Sequence, residues 1–128
     1  MSTLKVNTVQ HNTSGFNNVV QFTDGAGTQN GTLCRAWVNF DGTGTVAIRA
    51  DFNVSSITDN GTGDYTVNFS NALSDANYCL VATTGNDNTN NRFVSQVRSL
   101  AVGSVTIGTI DGANAVIDPA FVFCAIFR

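Results

Sequence analysis

From Cys34 onwards, short stretches that alternate apolar and polar residues recur along the chain, each closed by Gly, Asn or Asp. A half-buried β-strand has this period of two, because successive side chains point to opposite faces of a sheet. The clearest case is Asp64-Tyr65-Thr66-Val67-Asn68-Phe69, where Tyr65, Val67 and Phe69 oppose Asp64, Thr66 and Asn68. Ala36, Val38 and Phe40 oppose Trp37 and Asn39 in the same way. Strand-like segments fall at Cys34–Phe40, Thr45–Asp51, Asn53–Thr58, Asp64–Phe69, Tyr78–Thr83, Arg92–Ser99, Val102–Thr109 and Phe121–Phe127, the spacing of a sandwich or barrel. Between them, Asp41–Gly44 and Asp59–Asp64 supply residues that tolerate positive φ and read as hairpin connections. The expected fold is all-β: a compact antiparallel β-sandwich of about eight strands, jelly-roll-like or immunoglobulin-like, with an extended N-terminal arm.

Composition points the same way. The 128 residues hold no Glu and one Lys, while Val, Thr, Phe and Ile are abundant, so intrinsic preference runs against helix and towards strand. With 12% charged residues, the surface must be hydrated mainly by amides and hydroxyls. Six cations against nine Asp, a net charge of −3, offer no electrostatic footprint for nucleic acid. The longest apolar run, Ala120 to Phe127, is much shorter than the roughly 20 residues that span a bilayer, and the N-terminus carries no basic-then-apolar leader. Neither nucleic-acid binding nor membrane insertion is expected.

The chain is expected to divide near residue 31. Residues 1–31 read as an extended arm and linker, and 32–128 as the β-domain. In the arm, Ser2 to Gln10 alternates imperfectly, and Leu4, Val6 and Val9 are its candidate attachment residues. A short apolar piece, Val19–Phe22, precedes TDGAGTQNG, which reads as a linker or wide turn.

The last strand differs from the others. Phe121, Phe123, Ala125 and Phe127 oppose Val122, Cys124 and Ile126, so both faces are apolar. One core covers one face; the other needs either a neighbouring loop or another subunit. Phe121, Phe123, Ile126 and Phe127 are the candidate oligomer-interface residues.

Groups that carry chemistry are few. Cys34, Cys79 and Cys124 are widely spaced with no CxxC pair, which suggests neither a disulfide framework nor a zinc site but small hydrophobes on inner sheet faces. His11 sits in a turn-rich segment without a scaffold to orient it. The nine Asp residues lie at turns or strand edges; Asp59–Asp64 lacks the ligand spacing of a calcium loop and reads as a turn. No phosphate-binding loop occurs. No catalysis, metal or cofactor is expected. The most polar stretch, Thr83 to Arg92, could offer Asn86, Asp87, Asn88, Asn90 and Arg92 to sugar hydroxyls or a protein partner. Trp37, Tyr65 and Tyr78 could add stacking surfaces, although each lies in a strand pattern where a core role accounts for it.

The run Arg35 to Arg49 (RAWVNFDGTGTVAIR), continued by Phe52 to Phe69 (FNVSSITDNGTGDYTVNF), resembles a module of tail-fibre and related virion surface proteins of bacteriophages, especially marine phages and cyanophages. The opening STLKVNTVQ, the strand at Tyr78–Val81 and the apolar ending extend the resemblance over most of the chain. It implies a non-enzymatic β-domain on the virion, assembled in the host cytoplasm, usually as a homotrimer, bound to other virion proteins and sometimes touching a host surface glycan. A short tail fibre or tip protein docked through its arm is the first expectation. A capsid decoration (cement) protein is the second, and a carbohydrate-binding module the third.

Overall fold

The computed structural model describes residues 20–24, 27–85 and 93–128. The chain forms two compact units, divided between Thr32 and Leu33. In the first, β1 (Val20–Asp24) and β2 (Gly27–Gly31) form an antiparallel ribbon. Gly27–Gly31, expected as linker or wide turn, is therefore strand. Main-chain pairing needs only N–H and C=O partners, so a Gly- and Asn-rich stretch can pair without an apolar pattern.

The second unit is an antiparallel β-sandwich. Its strands are β3 (Cys34–Asp41), β4 (Ala47–Phe52), β5 (Val54–Gly61), β6 (Asp64–Phe69), β7 (Cys79–Gly85), β8 (Phe93–Ala101), β9 (Ser104–Asp111) and β10 (Phe121–Phe127). One four-stranded sheet has the order β4-β3-β10-β7 and the other β5-β6-β9-β8. Eight strands in two antiparallel sheets match the sequence expectation, and both expected turns close hairpins, β3–β4 and β5–β6. Among the described residues no helix is long and apolar enough to cross a membrane.

Alternation decides which side chains enter the core. On β6, Tyr65, Val67 and Phe69 are buried between half-buried neighbours; on β3, Ala36, Val38 and Phe40 point in; on β10, Val122, Cys124 and Ile126 do. Val105 and Ile107 from β9 complete the layer. An edge-to-face ring pair, Phe40 with Tyr65 at 5.2 Å, joins the sheets across it, and Phe69 meets Tyr78, just ahead of β7, edge-on at 6.1 Å.

The chain passes from one sheet to the other at Asn53, whose φ of 57° is a left-handed conformation that Asn tolerates better than most residues. Its side chain fastens the corner: Nδ2 donates to the Arg35 and Asn71 carbonyls at 3.0 and 3.1 Å, and Oδ1 accepts from the Asn71 N–H at 2.8 Å. At the opposite end, Asp118 joins two elements through one oxygen. Oδ1 accepts from the Tyr65 hydroxyl at 2.5 Å and from the Gly63 N–H at 2.7 Å.

Gly63 has φ +65°, and an added Cβ would stand 2.6 Å from the Thr109 carbonyl oxygen and 3.0 Å from the Ile117 nitrogen. Both obstacles are backbone and cannot swing aside. Gly63→Ala is therefore expected to cost at least the roughly 1–2 kcal/mol of a left-handed L-residue, read as a lower urea midpoint with an unchanged m-value. A midpoint equal to that of the parent chain would contradict this account.

Candidate functional site

β10 lies between β3 and β7: its inner side chains fill the core, and its outer ones stand at the middle of an exposed face. Register assembles that face in rows. Phe52, Trp37, Ala125 and Val81 lie side by side across β4, β3, β10 and β7, and Ala50, Asn39, Phe123 and Thr83 form the next row. Trp37 is 39% exposed, Phe52 53%, Val81 56% and Phe123 40%. Within the sandwich unit no described element lies over these side chains, and an exposed apolar surface of this kind marks interaction sites.

Between the large side chains is a shallow hollow of about 430 Å³, lined by Trp37, Asn39, Ala50, Val81, Thr83 and Phe123 with Ala125. The rings of Phe121 and Phe123 stack at 6.4 Å with 4° between planes, and the Arg49 guanidinium sits 4.7 Å over Phe121. Arg49 is held there by the Ala120 carbonyl, which accepts from Nη1 at 2.6 Å, and by Asp41, which accepts from Nη2 at 2.7 Å. The Thr43 hydroxyl, the Thr43 N–H and then the Arg49 charge hold the Asp41 carboxyl below the usual carboxylate range. This end of the face is ordered by contacts within the chain.

Asn39 is the exception on the face. Its Oδ1 is buried with no hydrogen-bond partner among the described residues. An unpaired buried acceptor costs about 1–3 kcal/mol, and the terminal amide torsion is soft enough to re-aim the group.

The outer face of the other sheet has the opposite character. Thr58, Thr66, Thr106 and Ser99 stand in one cross-strand row, and Ser56, Asn68 and Ser104 in another. They bond to one another: Thr66 and Thr106 share a hydroxyl contact at 3.0 Å, Asn60 Nδ2 donates to Thr66 at 2.9 Å, and Asn68 Nδ2 donates to Thr58 at 2.9 Å and Ser56 at 3.1 Å. Asp64 pairs with Arg98. Such a face is satisfied by water and by itself.

Of the candidate interface residues, Phe121, Phe123 and Phe127 lie on the outer face. Ile126 does not: it is completely buried in the chain's own core, because one step along a strand reverses the side chain. Ile126 is therefore removed from the surface set. Leu4, Val6 and Val9 of the arm, His11, and the polar stretch with Asn86, Asp87, Asn88, Asn90 and Arg92 lie outside the described residues. Of the candidate stacking aromatics, Tyr65 and Tyr78 are core residues and Trp37 faces out. Phe52 and Val81 were not legible as site residues, since only strand register makes them neighbours of Trp37.

Within Asp59–Asp64 the turn itself is Thr62-Gly63, with Asp59–Gly61 ending β5 and Asp64 opening β6, and the carboxylates are engaged: Asp59 Oδ1 accepts from the Gly61 N–H at 2.9 Å, and Asp64 holds Arg98. Among the described residues no group of three or more His, Cys, Asp or Glu side chains stands together as metal ligands.

The three cysteines are free, and they differ. Cys124 is a buried core residue, Cys34 is half-buried, and Cys79, expected on an inner face, is exposed. It opposes Phe127 on the edge strand β7, and the alternation of that pair places it outward. Burial pushes the Cys124 thiol up to about 12. A disulfide reagent at pH 8 is thus expected to label Cys79 long before Cys124, which reacts only on unfolding; fast labelling of Cys124 in the folded chain would contradict the assignment.

No protein-family model matches the chain, and no curated protein is similar to it at a significant level. Among solved structures, it is similar to the phiAB6 tailspike, solved in complex with three-repeated oligosaccharides of Acinetobacter baumannii surface polysaccharide. The likeness has a TM-score of 0.53 at 14% identity and covers 97% of this chain. This chain spans 30% of the tailspike chain. The fold is thus one that also occurs within a phage tailspike.

Proposed function

We propose that the chain is a non-catalytic structural protein of a phage virion, of the short tail-fibre or tip type, that assembles as a homotrimer and contacts a host surface glycan. The likeness over 97% of the chain to part of a tailspike carries this reading. The tailspike was solved with a bacterial surface oligosaccharide, which favours a host-contacting place over capsid decoration. The module resemblance of AWVNFDGTGT and NGTGDYTVNF supports it independently. In this role the sandwich is the rigid part. Leu4, Val6 and Val9 serve docking onto the tail by strand addition, in which main-chain hydrogen bonds give affinity and alternate side chains give register. Asn86, Asp87, Asn88, Asn90 and Arg92 serve glycan contact, with weak single contacts multiplied by three copies.

The test is immunogold labelling of particles of the encoding phage, together with binding of the purified chain to host surface polysaccharide. Label at the tail and saturable binding are expected. Label on the head would move the chain to decoration, and absence of label from particles would overturn the virion role.

A further inference from the structure

We propose that the outer face of the β4-β3-β10-β7 sheet is where copies of this chain meet, and that Asn39 near its middle sets their register. The inference rests on the homotrimer reading and deepens it by naming the surface. Four observations converge on a second copy as the occupant.

The first is charge. The ion pair at one end of the face, Arg49 with Asp41, is closed within the chain at 2.7 Å. An identical face therefore meets no unpaired charge from this pair, and the repulsion that penalises like-with-like contact does not arise there. The second is shape. Trp37, Phe52, Val81 and Phe123 project, while the small side chains of Ala50 and Ala125 leave a hollow of about 430 Å³ between them that can receive a projecting side chain from another copy. Projections and recesses on one face are what a cyclic assembly requires, since every subunit must supply both halves of the contact.

The third is the contrast between the two outer faces. Hydroxyls and amides cover the β5-β6-β9-β8 face and bond to one another, whereas the row Phe52, Trp37, Ala125 and Val81 offers no polar side chain except the Trp37 indole N–H. A saccharide needs several placed donors and acceptors beside a stacking ring; an apolar copy does not. The fourth is Asn39, whose carboxamide oxygen lacks a partner among the described residues. Around a symmetry axis a residue meets its own copies. Three Asn39 side chains that swing outward, exposing the Oδ1 that each single chain buries, can then close a ring, each donating from Nδ2 to the Oδ1 of the next. A single buried Asn fixes register and copy number in coiled coils for the same reason, because misaligned states strand the polar group.

Trp37 is the sole tryptophan, so its fluorescence reports on this face alone. The experiment is sedimentation equilibrium of the full chain, with Trp37 emission and acrylamide quenching followed in parallel. A three-chain species with blue-shifted, shielded Trp37 emission is expected. Val81→Asp should give a monomer with the parent's β-type circular dichroism, red-shifted emission and several-fold stronger quenching. If Val81→Asp loses its β spectrum, Phe52→Asp on the opposite edge strand gives the same readout. Asn39→Leu should still associate, but as a mixture of species.

A monomeric parent chain would overturn the homotrimer reading together with this inference. A three-chain species whose Trp37 is freely quenched and which survives Val81→Asp or Phe52→Asp would overturn the surface and leave the homotrimer reading standing. A monomer whose Trp37 emission shifts when host polysaccharide is added would assign the face to glycan instead. A single three-chain species for Asn39→Leu would remove Asn39 from its role.

Discussion

Tyr65→Ala is expected to lower stability by about 3–5 kcal/mol, the range for removing a large buried aromatic side chain, and Tyr65→Phe by about 1–3 kcal/mol. The two substitutions separate the ring from the hydroxyl. The Tyr65 ring is fully buried and meets Phe40 edge-on at 5.2 Å and 70°, so its removal leaves a cavity between the sheets. The hydroxyl donates to Asp118 Oδ1 at 2.5 Å, with the Gly42 carbonyl at 3.1 Å. Against a typical total of about 5–15 kcal/mol for a domain, the Ala variant approaches the limit of folding. Urea unfolding by circular dichroism measures both; a Phe variant as damaged as the Ala variant would mean that the ring contact counts for little.

The same phenol gives a pH signature. Burial first, then the hydrogen bond to Asp118 and its negative charge, hold the Tyr65 ionisation well above the ordinary value of 10.0, and burial raises Tyr78 as well. Both raised values favour the neutral phenol in the folded chain. Their contribution to stability is complete below the unfolded pKa of about 10, and it falls away as the pH rises above that point, where the unfolded chain ionises first. Ultraviolet titration should therefore show the two phenols ionising together with unfolding, and Tyr65→Phe should weaken the alkaline transition.

Strand existence was legible because period two is a local property: β6 and β3 follow the alternation of Asp64–Phe69 and Ala36–Phe40 directly. The double-sided apolar character of Phe121–Phe127 was legible as well. Which side meets the chain's own core was not, because Ile126 and Phe127 differ only in a phase set by pairing with β3 and β7. Long-range contacts were equally out of reach. Asp118 and Tyr65 are 53 residues apart, and nothing local to either names the other. The exposed face follows the same rule: Phe52, Trp37 and Val81 come from three separated segments, and only register makes them one surface. Gly27–Gly31 misled in the other direction, since turn-forming composition does not prevent main-chain pairing.

That phase is most directly tested by two substitutions one residue apart. Ile126→Asp is expected to abolish folding at neutral pH, while Ala125→Asp is expected to leave a folded chain that no longer assembles. Ile126 has no exposed surface and stands between Ala36 and Leu80 on the inner face. A carboxylate there loses its hydration without a partner, at a cost of several kcal/mol for the charge alone, added to the lost burial of the isoleucine. The sum rivals the whole stability of a small domain. Ala125 lies between Trp37 and Val81 on the outer face, where a carboxylate of the single chain reaches water but would be desolvated against another copy. Circular dichroism and sedimentation should therefore give opposite patterns: no β signal for Ile126→Asp, and a native β signal at one-chain mass for Ala125→Asp. A folded Ile126→Asp would show that the strand can slip its phase. A three-chain Ala125→Asp would show that the copies meet elsewhere than on this face.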